Sequence, residues 1–492
     1  QIESAMVPPR EFPKAVLPHG VTSVVADPHE IANVLGLEGI RFMLQDAKHG
    51  PINIYITAPS CVPSTSMETS GAQLEFYDLA NLLSDPWVLG LGEVMNYPGV
   101  VSGDGRILQK IQAYSGKVID GHCPGLTGKG LNAYVSAGVM SDHECTNMDE
   151  ALEKLRLGMT IFIREATNAH NLQALLGLAV PDLDRRLCWC TDDRHPNDLL
   201  EEGSIDHIIR MAIAGGVDPV VAIRMGTLNP SQYYHLHELG AIAPGRKADM
   251  VVFSDLHNLR SEIVYRNGRL VAKDGVMLPW ERPEKKTKTR GTINVRWNKL
   301  DFSIPDPHSP VKVIGMIPDQ LITTQLHERL PVVDEFLTSN IEKDIVKLAV
   351  VERHFGTGRI GLGFVKGLGL KRGAIASSVA HDHHNIIVAG VDDESMITAV
   401  QTIVNHQGGM VAVDGSTVLE ALPLPIAGLM SDQPIESVRD NLNRLSAAAH
   451  ELGTPGDPFM ALSFLALPVI PSLKLTDLGL VDVDRFEIVG LY

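Results

Sequence analysis

Cysteine is scarce in this chain. Five thiols in 492 residues are too few for a disulfide framework. Cys188 and Cys190 sit in C-x-C spacing on an apolar run, a pattern that suits buried thiols in a reducing compartment. Long hydrophobic runs are missing too. No stretch reaches the roughly 18 apolar residues of a membrane span. The opening QIESAMVPPREF has no basic region followed by an apolar stretch, so no signal peptide is expected and the cytoplasm is the default. Basic residues are in deficit: 42 against 59 acidic, for a formal charge of −17. A surface this acidic repels phosphate backbones, so nucleic acid is not expected as a partner. It does not suit a polybasic membrane contact either.

What is present is apolar material for large cores. The chain is 44% hydrophobic and 21% charged, the balance of an ordered protein. At this length two or three domains are expected.

The first half repeats one unit. A short β-rich apolar run ends in a polar cluster, and a helical stretch follows. The runs lie at 21–30, 52–60, 87–99, 117–125, 137–145, 158–166 and 186–196. Between them, DEALEKLRL and NAHNLQALLGL space their apolar residues as helices do. Strands alternating with helices read as a parallel α/β fold. Polar residues close every run, which is the habit of a (β/α)8 barrel with its function at the C-terminal strand ends. A doubly wound sheet is the alternative, but no G-x-G-x-x-G follows the first run. Only seven strands are counted, so the barrel reading places a further, first strand upstream of Gln1.

After residue 235 the pattern changes to short strands joined by APG and RNG turns. The expected organisation is a barrel over 1–235, a small β-sandwich part with linker over 236–294, and a second α/β domain over 295–492. The charged segment 281–291 reads as the linker. The glycine-rich stretch 356–376 lacks the G-K-[ST] of a phosphate loop. It contains one G-x-G-x-x-G, and the glycines that follow disfavour a helix behind it. These glycines are expected in turns and close packing.

Four strand ends carry metal-ligand residue types: Glu93, His122, His143 and Asp192. One such residue means little, because a single histidine at a strand end is commonly a satisfied polar group or a cap. Four in one periodic chain point to a metal site. Imidazole and carboxylate suit Zn, Fe or Mn. A carboxylate can bridge two ions, and two ions roughly 3.5–4 Å apart can hold and activate a hydroxide. Asp27, His29 and Glu30 end another strand and suit substrate contact, second-sphere support or a polar turn. Arg164 and Glu165 could pair with each other, or Arg164 could position a substrate. Asn96 and Tyr97 follow Glu93 as possible ring contacts. Asp193, beside Asp192, suits a helix cap or a supporting role. The cluster His381, Asp382, His383 and His384 reads as a second metal site, a flap, or an exposed turn.

Several motifs are long and specific: DPHEIANVLG (27–36), GEVMNYPGVVSG (92–103), DGHCPGLTGKGLNAY (120–134), CTDDRHP (190–196) and LPLPIAGLMS (422–431). Through them the whole chain closely resembles the bacterial adenine deaminases of the amidohydrolase superfamily. The resemblance implies a distorted metal-dependent barrel, a small β-sandwich and an extra C-terminal domain. It implies hydrolysis of adenine to hypoxanthine and ammonia in purine salvage, by a hydroxide held between two divalent metals, Mn or Fe foremost and Zn also fitting. On this reading Glu93, His122, His143 and Asp192 are ligands. Asp192 is also the proton carrier, and His143 or a metal polarises the ring. The partner is a small purine, and homo-oligomers are the common assembly.

The chain departs from the family pattern at its start. There the family has H-x-H before I-E-S-[SA]-M, and this chain has Gln1 where the second histidine belongs. This departure reads as a chain that lacks an upstream segment of an active-enzyme family, with a metal-poor inactive homologue as the alternative; a separate alternative is a hydrolase of another cyclic amide. The latter commonly carries a lysine where this chain has Glu93. The single-zinc deaminase design is excluded, because P-C-x-x-C does not occur.

Overall fold

The computed structural model describes residues 1–281, 289, 291–318 and 320–492. The expected linker at 281–291 therefore lies almost wholly outside the described residues. The chain forms two compact units. One comprises Gln1–His29, Ile40–Cys61 and Leu74–Thr287; the other comprises Glu30–Gly39, Val62–Gln73 and Lys288–Tyr492. No described helix is long and apolar enough to cross a membrane.

All seven expected strands form in the first unit: β1 (Ser23–Ala26), β2 (Asn53–Ala58), β3 (Val88–Val94), β4 (Val118–Gly121), β5 (Ser141–Asp142), β6 (Thr160–Arg164) and β7 (Leu187–Cys190). They pair in parallel, in the orders β1-β2-β3-β4 and β5-β6-β7. The two groups meet where Met140 N donates to Ile119 O at 2.9 Å. The result is a curled parallel sheet of the barrel type. Among the described residues, β1 pairs only with β2 and β7 only with β6. Every residue of β2 is buried, whereas Ser23, Val24 and Val25 of β1 are half-buried. That contrast matches an edge beside a strand enclosed on both sides.

Helices between the strands start where the sequence supplies a cap. The Asp104 side chain accepts from Arg106 N and opens Gly105–Ala113. Asn147 accepts from Glu150 N and opens Met148–Arg156, whose first turn holds Asp149 and Glu150 and whose last holds Lys154 and Arg156. These charges oppose the helix dipole, and each cap contributes about 1 kcal/mol. The apolar helix faces cover the sheet. Ile161, Ile163, Leu187 and Trp189 pack with Ile208, Ala212, Ala222 and Met225. Each buried isoleucine, leucine or methionine among them contributes about 1.5–3 kcal/mol.

After the barrel comes a four-stranded antiparallel sheet of Met250–Val252, Ile263–Arg266, Arg269–Lys273 and Val276–Met277. Its expected RNG turn is present: Asn267 and Gly268 both have positive φ, 49° and 73°, the backbone of a tight two-residue hairpin.

The second unit is built on an eight-stranded sheet. It runs Thr323–Glu328, Val311–Met316, Ile360–Lys366, Ile345–Val351, Ile386–Gly390, Ala374–Ser377, Gly409–Asp414 and Thr417–Pro423. The sheet is antiparallel except for one parallel pairing, of Val311–Met316 with Ile360–Lys366. Helices Asp393–Asn405 and Ile435–Glu451 belong to this unit. The glycine-rich stretch enters the sheet as a strand. A Cβ at Gly361 would meet Thr476 O at 1.8 Å, so this glycine permits close backbone approach.

Candidate metal centre

Parallel register brings the strand ends together. Val94 of β3 pairs with Gly121 of β4, so Glu93 and His122 emerge side by side. His122 Nδ1 lies 3.1 Å from Glu93 Oε2. His143 Nε2 lies 3.2 Å from the same oxygen. The two imidazole rings meet edge to face at 5.4 Å. On the other side, His29 Nδ1 lies 3.5 Å from Glu93 Oε1 and 3.6 Å from Asp27 Oδ2. Glu93 N donates to that same Asp27 oxygen at 3.0 Å. Glycine is required at position 92 for this approach, since a Cβ there would meet Asp27 Oδ2 at 2.1 Å.

Two sets of three potential ligands therefore share one carboxylate: Glu93, His122 and His143 on one side, and Asp27, His29 and Glu93 on the other. Within each set the donor atoms lie within 4.8 Å of one another. The donors suit a divalent cation in two further respects. His122 Nε2 and Asp27 Oδ1 are buried with no hydrogen-bond partner among the described residues. Imidazole and carboxylate are also the ligand types of Mn, Fe and Zn.

The electrostatics of the cluster are shared. Burial alone would raise the Glu93 carboxyl, but His143 and His122 hold it well below the usual carboxylate range. Burial would lower His143, yet Glu93 and Glu144 hold it well above the ordinary imidazole value. His122 is raised for the same reason, by Glu144 first and then Glu93. Opposite charges at 3–4 Å in a buried site outweigh desolvation here.

Asp192 and His143 line a cavity of about 640 Å³ together with Glu93, Asp27 and Asp120. Asp192 has φ 50°, a left-handed backbone that aspartate tolerates better than most residues. Gln1 also lines this cavity, and its amide nitrogen lies 2.9 Å from His29 Nε2. Asp120, deeper on β4, accepts from Tyr233, Tyr234 and Ser141. Burial raises its carboxyl to about 6.

Other expected residues have different surroundings. Arg164 does not pair with Glu165. It pairs with Glu144 and with Asp192, while Glu165 accepts from His170. Successive residues at a strand end face opposite sides, which separates Arg164 from its neighbour. Asn96 accepts from Gly99 N at 3.0 Å and caps the helix Tyr97–Ser102. Neither Asn96 nor Tyr97 lines the cavity. Asp193 accepts from Ser4 Oγ. Glu30 belongs to the second unit, where it meets His381 Nδ1 at 2.7 Å and also contacts His384. Those histidines are buried, not on an exposed turn.

Glu144 was not singled out from the sequence. It lies 3.5 Å from His122 Nδ1 and 3.3 Å from His143 Nε2. Its one sequence signal is its place directly after His143.

Comparison with known proteins agrees with this architecture. Residues 3–276 match the amidohydrolase family, and residues 320–487 match the adenine deaminase C-terminal domain. The chain is 49% identical to an adenine deaminase of Desulfatibacillum aliphaticivorans, over 100% of this chain and 87% of that protein. It is 48% identical to adenine deaminase 2 of Carboxydothermus hydrogenoformans, over 99% of this chain and 86% of the other. An adenine deaminase of Methanothrix thermoacetophila is 48% identical over 100% of this chain and 87% of its own length. The chain therefore belongs to the amidohydrolase family and, within it, to the group that carries the adenine deaminase C-terminal domain.

Proposed function

We propose that this protein is an adenine deaminase, converting adenine and water to hypoxanthine and ammonia. The substrate rests on relatives at 45–49% identity along the chain, all named adenine deaminases. The chemistry rests on one observation: Glu93 is shared by two donor sets at the C-terminal ends of parallel strands.

Glu93, His122 and His143 would hold one divalent ion, and Asp27 and His29 stand on the far side of the same carboxylate. Mn or Fe suits this mixed imidazole and carboxylate set, and Zn is compatible with it. Bound divalent metals supply an activated water at neutral pH. Asp192 would take a proton from the attacking water and pass it to the departing amine. Oxygen is added at C6 of the purine, the C6–N bond breaks, and ammonia leaves. His143, or the metal it would help to hold, would polarise the ring as negative charge develops on it.

The reading places the protein in purine salvage. Five free cysteines, four of them buried, are consistent with a reducing compartment.

The test is ammonia release by metal-loaded protein from adenine, adenosine and cytosine. Adenine is expected to be turned over far faster than the other two. No release from adenine, or a preference for either alternative, would reject the reading.

A further inference from the structure

Arg164 is the last residue of β6, and it pairs in register with Cys190, the last residue of β7. Asp192 lies two residues beyond that pair, so the register delivers its carboxylate to the guanidinium. Arg164 is 5% exposed, and its head group makes four side-chain hydrogen bonds. Nε donates to Asn171 Oδ1 at 3.2 Å. Nη1 donates to Glu144 Oε1, and Nη2 donates to Glu144 Oε2 at 3.0 Å. Nη1 also donates to Asp192 Oδ2 at 2.8 Å.

The geometry has a clear hierarchy. Glu144 grips the fork with both oxygens and Asn171 holds the Nε edge, so the guanidinium plane is fixed before Asp192 is considered. A planar fork held this way sets direction as well as charge. Asp192 follows the strand in a left-handed turn, and the bond from Arg164 fixes one oxygen of its carboxylate. With four of the five N–H groups of an arginine engaged, little remains for direct contact with a ring.

We infer that Arg164, anchored by Glu144, is a positioning residue for Asp192: it locks Oδ2 and leaves Oδ1 as the oxygen that takes and delivers the proton. This rests on the reading of Asp192 as proton carrier. Arg164 itself touches neither substrate nor reacting atoms.

The test is a double-mutant cycle on the full chain, metal-loaded, with Arg164→Gln, Arg164→Lys, Asp192→Asn and the Arg164→Gln/Asp192→Asn pair. Arg164→Gln is expected to lower kcat about 100-fold, in the range of a misplaced general base, with KM changed by less than about twofold. Arg164→Lys keeps the charge but not the fork, and is expected to lose kcat in the same way. Metal content by elemental analysis and the melting temperature of Arg164→Lys are expected to stay near wild type. The double variant is expected to be no slower than Asp192→Asn alone, because both changes act through one carboxylate.

Three results would overturn the proposal while leaving Asp192 as proton carrier. They are a loss in the double variant that multiplies the two single losses, a raised KM with kcat unchanged in Arg164→Gln, or full turnover by Arg164→Lys. Full turnover by Asp192→Asn would instead bring down the reading of Asp192, and the proposal with it.

Discussion

His122 Nδ1 and Glu93 Oε2 stand 3.1 Å apart, joined across the β3–β4 pair by parallel register. The same oxygen meets His143 at 3.2 Å, so one carboxylate organises donors from three strands. Glu93→Gln exchanges that charge for a neutral amide of equal size. It is expected to reduce bound metal and to lower kcat by orders of magnitude, with the melting curve still cooperative. Elemental analysis beside ammonia release checks this; wild-type metal content with wild-type turnover would remove Glu93 from the centre.

Asp192→Asn keeps the shape of the side chain and removes its ability to carry a proton. The expected loss is about 10²–10⁴-fold in kcat, the scale of general acid–base catalysis. Secondary structure should be unchanged by circular dichroism. A variant within about threefold of wild type would assign the proton to another group.

Dialysis against a chelator is expected to abolish adenine turnover, and addition of Mn or Fe to restore it. Because a metal bound only to the folded state stabilises it by mass action, the melting temperature should fall on stripping and recover on reloading. Undiminished turnover in protein shown to be metal-free would contradict the proposed chemistry.

Lys154 is buried and donates to Asp142 Oδ2 at 3.0 Å, Glu150 Oε1 at 2.6 Å and Cys123 O at 2.8 Å. Lys154→Met leaves two buried carboxylates without their cation. Breaking a buried pair this way costs about 3–5 kcal/mol. Urea unfolding should show the loss, and adding Asp142→Asn should recover part of it. A midpoint equal to wild type would mean that the pair has no net effect.

Lys474 is fully buried, donating to Leu321 O at 2.8 Å and Phe464 O at 3.0 Å. Burial pushes its ammonium down to about 7, against about 10.4 for an unfolded chain. Between those values the unfolded chain binds more protons, so this residue makes stability rise with pH from about 7 to about 10. Below about 7 the penalty is constant. Relative to Lys474→Met, the wild-type urea midpoint is expected to climb between pH 7 and 9.5. Parallel profiles for the two proteins would show that Lys474 is not held neutral.

Much of this was local enough to read along the chain. The seven barrel strands are short β-rich runs closed by polar residues, and each formed where its run lies. Strand-end position follows from the period of the fold, so Glu93, His122, His143 and Asp192 could each be placed at a strand end without coordinates. The RNG hairpin needed only the residues that tolerate positive φ.

The tertiary structure decided who meets whom. Strand alternation alone does not say that Arg164 reaches Asp192 and Glu144 rather than Glu165; the β6–β7 register does. Asp27 and His29 look like a polar turn until β3 passes beside them at Gly92 and makes them neighbours of Glu93. The pairing of Glu30 with His381 spans 351 residues of sequence, a contact between segments that carry no mark of each other. The antiparallel order of the C-terminal sheet is of the same kind. Composition and spacing determine which residues stand at strand ends, because those depend on neighbours a few positions away. Register and chain closure determine the partners, because a single-residue slip turns each side chain to the other face.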